Sequence, residues 1–155
     1  MKPGPTSKAT RIVIVDDHAG IRASLRTLLE SEGDFQICGE AENAAKALDL
    51  IAAKTPDIAI IDISLKGAIH GLELTRQLKH LHPELAILVL SLHAEAQFAF
   101  GAITAGAGGY LSKSEAGEFL HIALETILSG KTYVTQEMQA KMDRAREENP
   151  DRRTI

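Results

Sequence analysis

The chain has 155 residues, 45 % of them apolar and 25 % charged, with a formal net charge of −4. That is the balance of one ordinary globular domain with a single sizeable core. The negative charge argues against sequence-independent nucleic-acid binding, which needs a basic face, and no apolar run approaches the roughly 20 residues of a membrane span.

Met1 to Thr10 is polar, holds prolines and a glycine, and lacks the apolar stretch of a signal peptide. Residues 1–10 are therefore expected to be a disordered lead into a cytoplasmic protein whose folded domain covers 11–136. Ile12-Val13-Ile14-Val15 is short, β-branched and continuous, as suits a parallel strand buried on both faces. Ile21, Leu25, Leu28 and Leu29 follow at helical spacing, with Gly33 as a stop. Phe35 to Ala41 reads as a second strand, and Cys38 within it as a buried, inert thiol with no partner for an internal disulfide. Ala44, Ala47, Leu48 and Ile51 make the next helical stripe, which Pro56 closes. Residues 58–61 read as a third strand. Leu72, Leu74, Leu78 and Leu81 suit a helix ending before Pro83, and 86–90 read as a fourth strand. A helix is expected over 95–105. Phe98 and Phe100 stand two apart on it and cannot both face the core, so one should be partly exposed, at a dimer or partner contact or in plain core packing. A short fifth strand at 109–111 precedes Phe119, Leu120, Ala123, Leu124, Ile127 and Leu128, a strong helical face with Gly130 as its stop. Residues 137–155, rich in arginine and acidic residues, read as a solvated linker with at most a helical start.

Strands alternating with helices through short connections imply right-handed crossovers and a doubly wound α/β domain, a parallel sheet covered on both faces. Ligands in such sheets bind beyond the carboxyl ends of the strands. Strand one ends in Asp16-Asp17, strand three in Asp62 and strand four in Ser91, and strand five leads into Lys113. The topology thus predicts three carboxylates in one pocket with a hydroxyl and an ammonium close by. Crowded carboxylates raise one another's pKa, and a hard divalent cation with oxygen ligands relieves this; Mg²⁺ suits best. The set then fits phosphoryl transfer: Asp16 and Asp17 holding the metal, Asp62 attacking, and Lys113 and Ser91 stabilising the transferred oxygens. Each residue taken alone has an ordinary alternative. An aspartate or serine after a strand is often only a helix cap or turn residue, and a lone lysine is usually a surface charge. Their joint placement at four strand ends favours the functional reading.

Val15-Asp16-Asp17-His18, Ile60-Ile61-Asp62-Ile63-Ser64, Leu90-Ser91 and Gly109-Tyr110-Leu111-Ser112-Lys113 stand in the order and spacing of the receiver domains of two-component response regulators, and the chain resembles that family over about 10–136. The resemblance implies a flavodoxin-like fold with a five-stranded parallel sheet and Asp62 as the acceptor of a phosphoryl group from a sensor histidine kinase. It also implies a metal shell of Asp16, Asp17, Asp62 and the backbone carbonyl of Ser64, roles for Lys113 and Ser91 like those argued above, and a switch made of Ser91 and Tyr110. Asp-Asp-His at 16–18, the run Gly106 to Leu111 and the run Leu128 to Val134 are similar to LuxR-type regulators. Those carry a helix-turn-helix domain after a linker, which leads us to expect an absent C-terminal DNA-binding domain beyond 155 and a possible homodimer. The loop Leu65-Lys66-Gly67-Ala68-Ile69-His70-Gly71 departs from the family, lacking a Met-Pro pair and running one residue longer.

Under this resemblance the chain is a switch and not a turnover enzyme. Other readings stay open: a stand-alone receiver, a Mg²⁺-dependent phosphatase working through an aspartyl phosphate, and an interaction domain that is never phosphorylated. His80 and His82, two apart on a helix, point away from each other and argue against zinc. His18 reads as the start of the first helix rather than as part of the pocket.

Overall fold

The computed structural model describes residues 9–31, 33–65 and 70–148. Five strands alternate with helices: β1 (Thr10–Val15), α1 (Ala19–Glu30), β2 (Phe35–Ala41), α2 (Ala44–Lys54), β3 (Ile58–Asp62), α3 (Gly71–Leu81), β4 (Ala86–Ser91), α4 (Ala96–Thr104), β5 (Gly109–Ser112), α5 (Ala116–Leu128) and α6 (Gln136–Glu148). All strand pairs are parallel, in the order β2-β1-β3-β4-β5, so β1 and β3 lie side by side where the winding reverses. This is the doubly wound sheet that the strand–helix alternation predicts, with the flavodoxin-like strand order that the resemblance implies.

The continuous apolar strands divide their side chains by parity. Val13, Val15, Ala59, Ile61, Ile87 and Val89 face one layer, where they pack with Ala47, Ile51, Leu74, Leu78, Ala99 and Phe100 of α2, α3 and α4. Ile12, Ile14, Ile58, Ile60, Leu88 and Leu90 face the other, against Leu25 and Leu29 of α1 and Leu120, Leu124 and Ile127 of α5. With both faces covered, β-branched runs need no polar alternation. The predicted helical stripes are right in period but too wide. Leu28, Leu81 and Leu128 stand at their margins and are 39 %, 59 % and 41 % exposed. Cys38 is only half-buried on the edge strand β2, rather than buried. Phe100 is buried and Phe98 half-buried, as their spacing required.

The expected boundary at 136/137 is not one, because α6 starts at Gln136. Met138 and Met142, four apart, are buried, and Ala145 packs on the same cluster. A two-methionine stripe among charges is too sparse to read as a helical face, but it suffices against α4. The segment before α6 covers the outer edge of β5, where Tyr110 N–H donates to the Tyr133 carbonyl at 3.1 Å and Tyr133 N–H to the Gly108 carbonyl at 2.9 Å. That protects an edge strand from pairing with another chain. Among the described residues no helix is long and apolar enough to cross a membrane. Residues 1–8, the loop at 66–69 with its departure from the family pattern, and 149–155 lie outside the described residues.

The start of α3 is pressed onto the end of β3. A Cβ at Gly71 would come within 2.2 Å of the Asp62 carbonyl oxygen and 2.8 Å of Ile63 Cα, both backbone atoms that cannot yield cheaply. Gly71→Ala is therefore expected to destabilise the fold by about 1–3 kcal/mol, the usual cost of overpacking, measured as a lower midpoint in urea with an unchanged slope.

Candidate functional site

The sheet brings the sequence-predicted residues together at the carboxyl ends of its strands. Asp16 is the first residue past β1, and its backbone is pinned from both sides. Its N–H donates to the Ala41 carbonyl at 3.1 Å, and its carbonyl accepts from Arg22 Nη1 at 2.6 Å. Its side chain is fixed too, Oδ1 accepting the His18 N–H at 2.8 Å and Oδ2 accepting from Lys113 Nζ at 3.1 Å. Asp62 closes β3. Its Oδ1 accepts the Ser64 N–H at 3.0 Å, and its Oδ2 lies 3.4 Å from Lys113 Nζ, an ion pair without a hydrogen bond. Lys113 reaches the pair because a short 3₁₀ turn (Lys113–Glu115) follows β5. Ser112 holds that turn, its hydroxyl donating to Glu115 Oε1 at 2.7 Å while its N–H donates to the same oxygen at 3.2 Å. Such reciprocal capping fixes where the chain leaves the strand.

Asp16 and Asp62 are buried, and Lys113 is only 10 % exposed. Three carboxylates and one ammonium leave two negative charges uncompensated in a poorly hydrated space. Burial, joined by the neighbouring Asp16 charge, pushes the Asp62 carboxyl above its ordinary pKa, while the Ser64 N–H and Lys113 pull the other way. Two buried oxygens, Asp17 Oδ1 and Asp62 Oδ2, have no hydrogen-bond partner. One ligand atom from each of Asp16, Asp17, His18 and Asp62 falls within a 4.8 Å cluster. Orphaned buried anionic oxygens in such a cluster fit a hard cation, so these carboxylates could bind a metal. Ser64 sits on the rim, exposed, two residues past Asp62.

His18 is the member that sequence reasoning missed. It does stand at the start of α1, but its ring also turns back, Nδ1 lying 2.9 Å from Asp17 Oδ1 and 3.2 Å from Asp16 Oδ1. Its place next to the acid pair was the available signal. Ser91 lies fully buried at the end of β4, its Oγ accepting the His93 N–H at 2.9 Å. Tyr110, with 1 % exposure, points inward, its hydroxyl donating to the His93 carbonyl at 2.6 Å; burial raises its pKa. Ser91 and Tyr110 both bond to His93, and the Ser91 hydroxyl also faces the Tyr110 hydroxyl directly, pulling its pKa the other way; the His93 ring stacks on Phe98 at 4.3 Å.

Comparison with known proteins agrees with this arrangement. Residues 12–125 match the family model of the response regulator receiver domain. A Pseudomonas aeruginosa PAO1 protein provisionally named a transcriptional regulator is 43 % identical over 121 residues, 78 % of this chain and 58 % of that protein. The response regulator UvrY of Escherichia coli O6:H1 is 32 % identical over 131 residues, 84 % of this chain and 60 % of UvrY. The crystal structure of a LuxR-family two-component response regulator from Aurantimonas sp. SI85-9A1 superimposes with a TM-score of 0.84 at 33 % identity, covering 90 % of this chain and 99 % of that one. The chain spans about three fifths of the length of the curated relatives it matches. It belongs to the receiver domains of two-component response regulators, among relatives of the LuxR type.

Proposed function

We propose that the chain is a phosphorylation-operated switch in which Asp62 accepts a phosphoryl group. The observation that carries this reading is the largely buried cluster of Asp16, Asp17, Asp62 and Lys113 with two buried carboxylate oxygens lacking a hydrogen bond. Asp16, Asp17 and Asp62, with the Ser64 carbonyl, would hold Mg²⁺. The ion would neutralise charge on the phosphoryl oxygens and lower the cost of bringing an anion to a carboxylate.

The work of the chain's own residues follows from their positions. The Asp62 carboxylate attacks phosphorus. A new O–P bond forms as the N–P bond of a phosphohistidine on the donor breaks, and the imidazole nitrogen leaves with the electron pair. The Ser64 N–H bond to Oδ1 fixes the carboxylate plane. Lys113 carries a fixed positive charge to the transferred oxygens, and Ser91 offers its hydroxyl hydrogen on turning it from the Tyr110 hydroxyl. The donor is a sensor histidine kinase, and the chemistry stays on the chain's own carboxylate, so the domain is not a turnover enzyme. The outputs are the face formed by α4, β5 and α5, a homodimer, and DNA reached through a C-terminal domain beyond residue 155, in the cytoplasm. One cavity of about 820 Å³ opens near Asp57, Ala86 and Gly108, at the opposite end of the strands from the acids, and lends the phosphatase alternative nothing; another of about 380 Å³ lies on the acid side, lined by Ile63, Ser64, His70, Arg76, His93 and Phe98.

Two outcomes check this. Intact-mass spectrometry with acetyl phosphate and Mg²⁺ should show one phosphoryl adduct on the wild type and none on Asp62→Ala; an equal adduct on both sinks the assignment. The second concerns stability. Because burial raises the Asp62 pKa, its ionised form costs stability above the ordinary carboxylate range, a cost that fades as pH falls through the raised value. In Mg²⁺-free buffer near neutral pH, Asp62→Asn should be more stable than the wild type by on the order of 1 kcal/mol. The difference should close at about pH 3, below the ordinary carboxylate pKa. Added Mg²⁺ should raise the midpoint of the wild type more than that of Asp62→Asn.

A further inference from the structure

The loop between β4 and α4 is gripped from three directions. Ser91 Oγ, at the strand end, accepts the His93 N–H at 2.9 Å. Tyr110, from β5, donates to the His93 carbonyl at 2.6 Å. Lys141, from α6, donates to the Ala94 carbonyl at 2.9 Å. The last bond is forty-seven positions distant in sequence and ties this loop to the helix that follows the sheet domain. Apolar packing on α4 holds α6 as well, with Ala145 joining the methionines. Met138 and Met142 are its buried side chains, and the Arg146 guanidinium lies 5.0 Å from the centre of the Phe100 ring.

We propose that Lys141 is a positioning residue for the phosphorylation of Asp62, acting through Ala94 and His93 on Ser91. The inference rests on the reading of Asp62 as phosphoacceptor. Leu90 pairs with Asp62 across β3 and β4, so Ser91, the next residue, moves toward or away from the acceptor as the end of β4 shifts. Because the His93 N–H follows Ser91 Oγ, such a shift carries residues 93 and 94 with it, and with them the carbonyl acceptors of Tyr110 and Lys141. The inward Tyr110 is the position expected once Ser91 has moved toward a phosphoryl group, and α6 is docked in that same arrangement. Docking of α6 and occupancy of the acid site therefore favour each other, and reciprocity requires each to strengthen the other by the same factor. Lys141 exerts its part at the Ala94 carbonyl; its other ionic neighbour, Glu137 on the next turn of the same helix, is 3.9 Å away.

The test is titration of the whole chain with beryllofluoride in saturating Mg²⁺, followed by fluorine NMR, together with amide hydrogen exchange across 136–148. Lys141→Met should raise the half-saturating beryllofluoride concentration about fivefold, the lower end of ordinary coupling between sites. Lys141→Arg, which keeps a donor for the Ala94 carbonyl, should restore it. Amides of α6 in the wild type should exchange more slowly once beryllofluoride is bound. A merely structural Lys141 would lower stability without moving the titration. Saturation of Lys141→Met at wild-type concentrations overturns the inference, as does α6 exchange indifferent to beryllofluoride in a wild type that binds it. A wild type that binds none overturns the Asp62 assignment itself and this coupling with it.

Discussion

Everything in the domain is arranged around the cost of holding Asp62 in a nearly dry space beside a second buried carboxylate, with one lysine to share between them. Like charges at short range in poor solvent raise each other's pKa, and removing any one compensating group leaves the others exposed to the full penalty. The surrounding structure answers with fixed dipoles. The Ser64 N–H is given to Asp62, the His18 N–H to Asp16, and the Arg22 guanidinium to the Asp16 carbonyl, so the acids cannot swing apart to relieve their repulsion. What remains is an excess of carboxylates and two buried oxygens without a hydrogen bond, a set that could bind a metal.

Such a site can exist because the sheet is parallel and its core is two-sided. Parallel strands end at the same edge, so residues far apart in sequence, Asp16, Asp62, Ser91 and Lys113, converge without any long loop to position them. The apolar layers on both faces hold the central strands β1 and β3 in place, and the tight contact of Gly71 with the Asp62 backbone removes the last freedom at the end of β3. Rigidity there is chemically useful: charge stabilisation is strongest when the stabilising groups need not move as the reaction proceeds.

The strands were legible because burial on both faces leaves an unmistakable β-branched run, as in Ile12 to Val15, and the acids because each falls one step past such a run. The helix margins were not, since period alone gives a direction but not a width, and Leu81 at 59 % exposure lies outside the stripe it extends on paper. Helix α6 escaped because two methionines and an alanine carry its packing, while its cation–π contact with Phe100 and its bond to Ala94 are tertiary facts with no local signature. His18 was read for one role and has two: its backbone caps Asp16 while its ring approaches both acids. Tyr110 could as well have pointed its hydroxyl into water; only the position of the His93 carbonyl decides that it points in.

The energetics also explain why the switch should not depend on a single residue. Reversing a 1:99 population takes about 5.5 kcal/mol of differential binding. One charge-assisted hydrogen bond, such as Ser91 would give a phosphoryl oxygen, contributes roughly 1.5–3 kcal/mol. In the proposed switch Lys113 and a cation would have to supply the remainder, and the lysine already stands between both acids. The His93 peptide then matters more than its exposed position suggests. Its N–H reports on Ser91 and its carbonyl on Tyr110, so a movement too small to rearrange the core still reaches two faces of the domain at once. The same loop also carries the acceptor for Lys141, so α6 is bound to the segment that joins Ser91 and Tyr110.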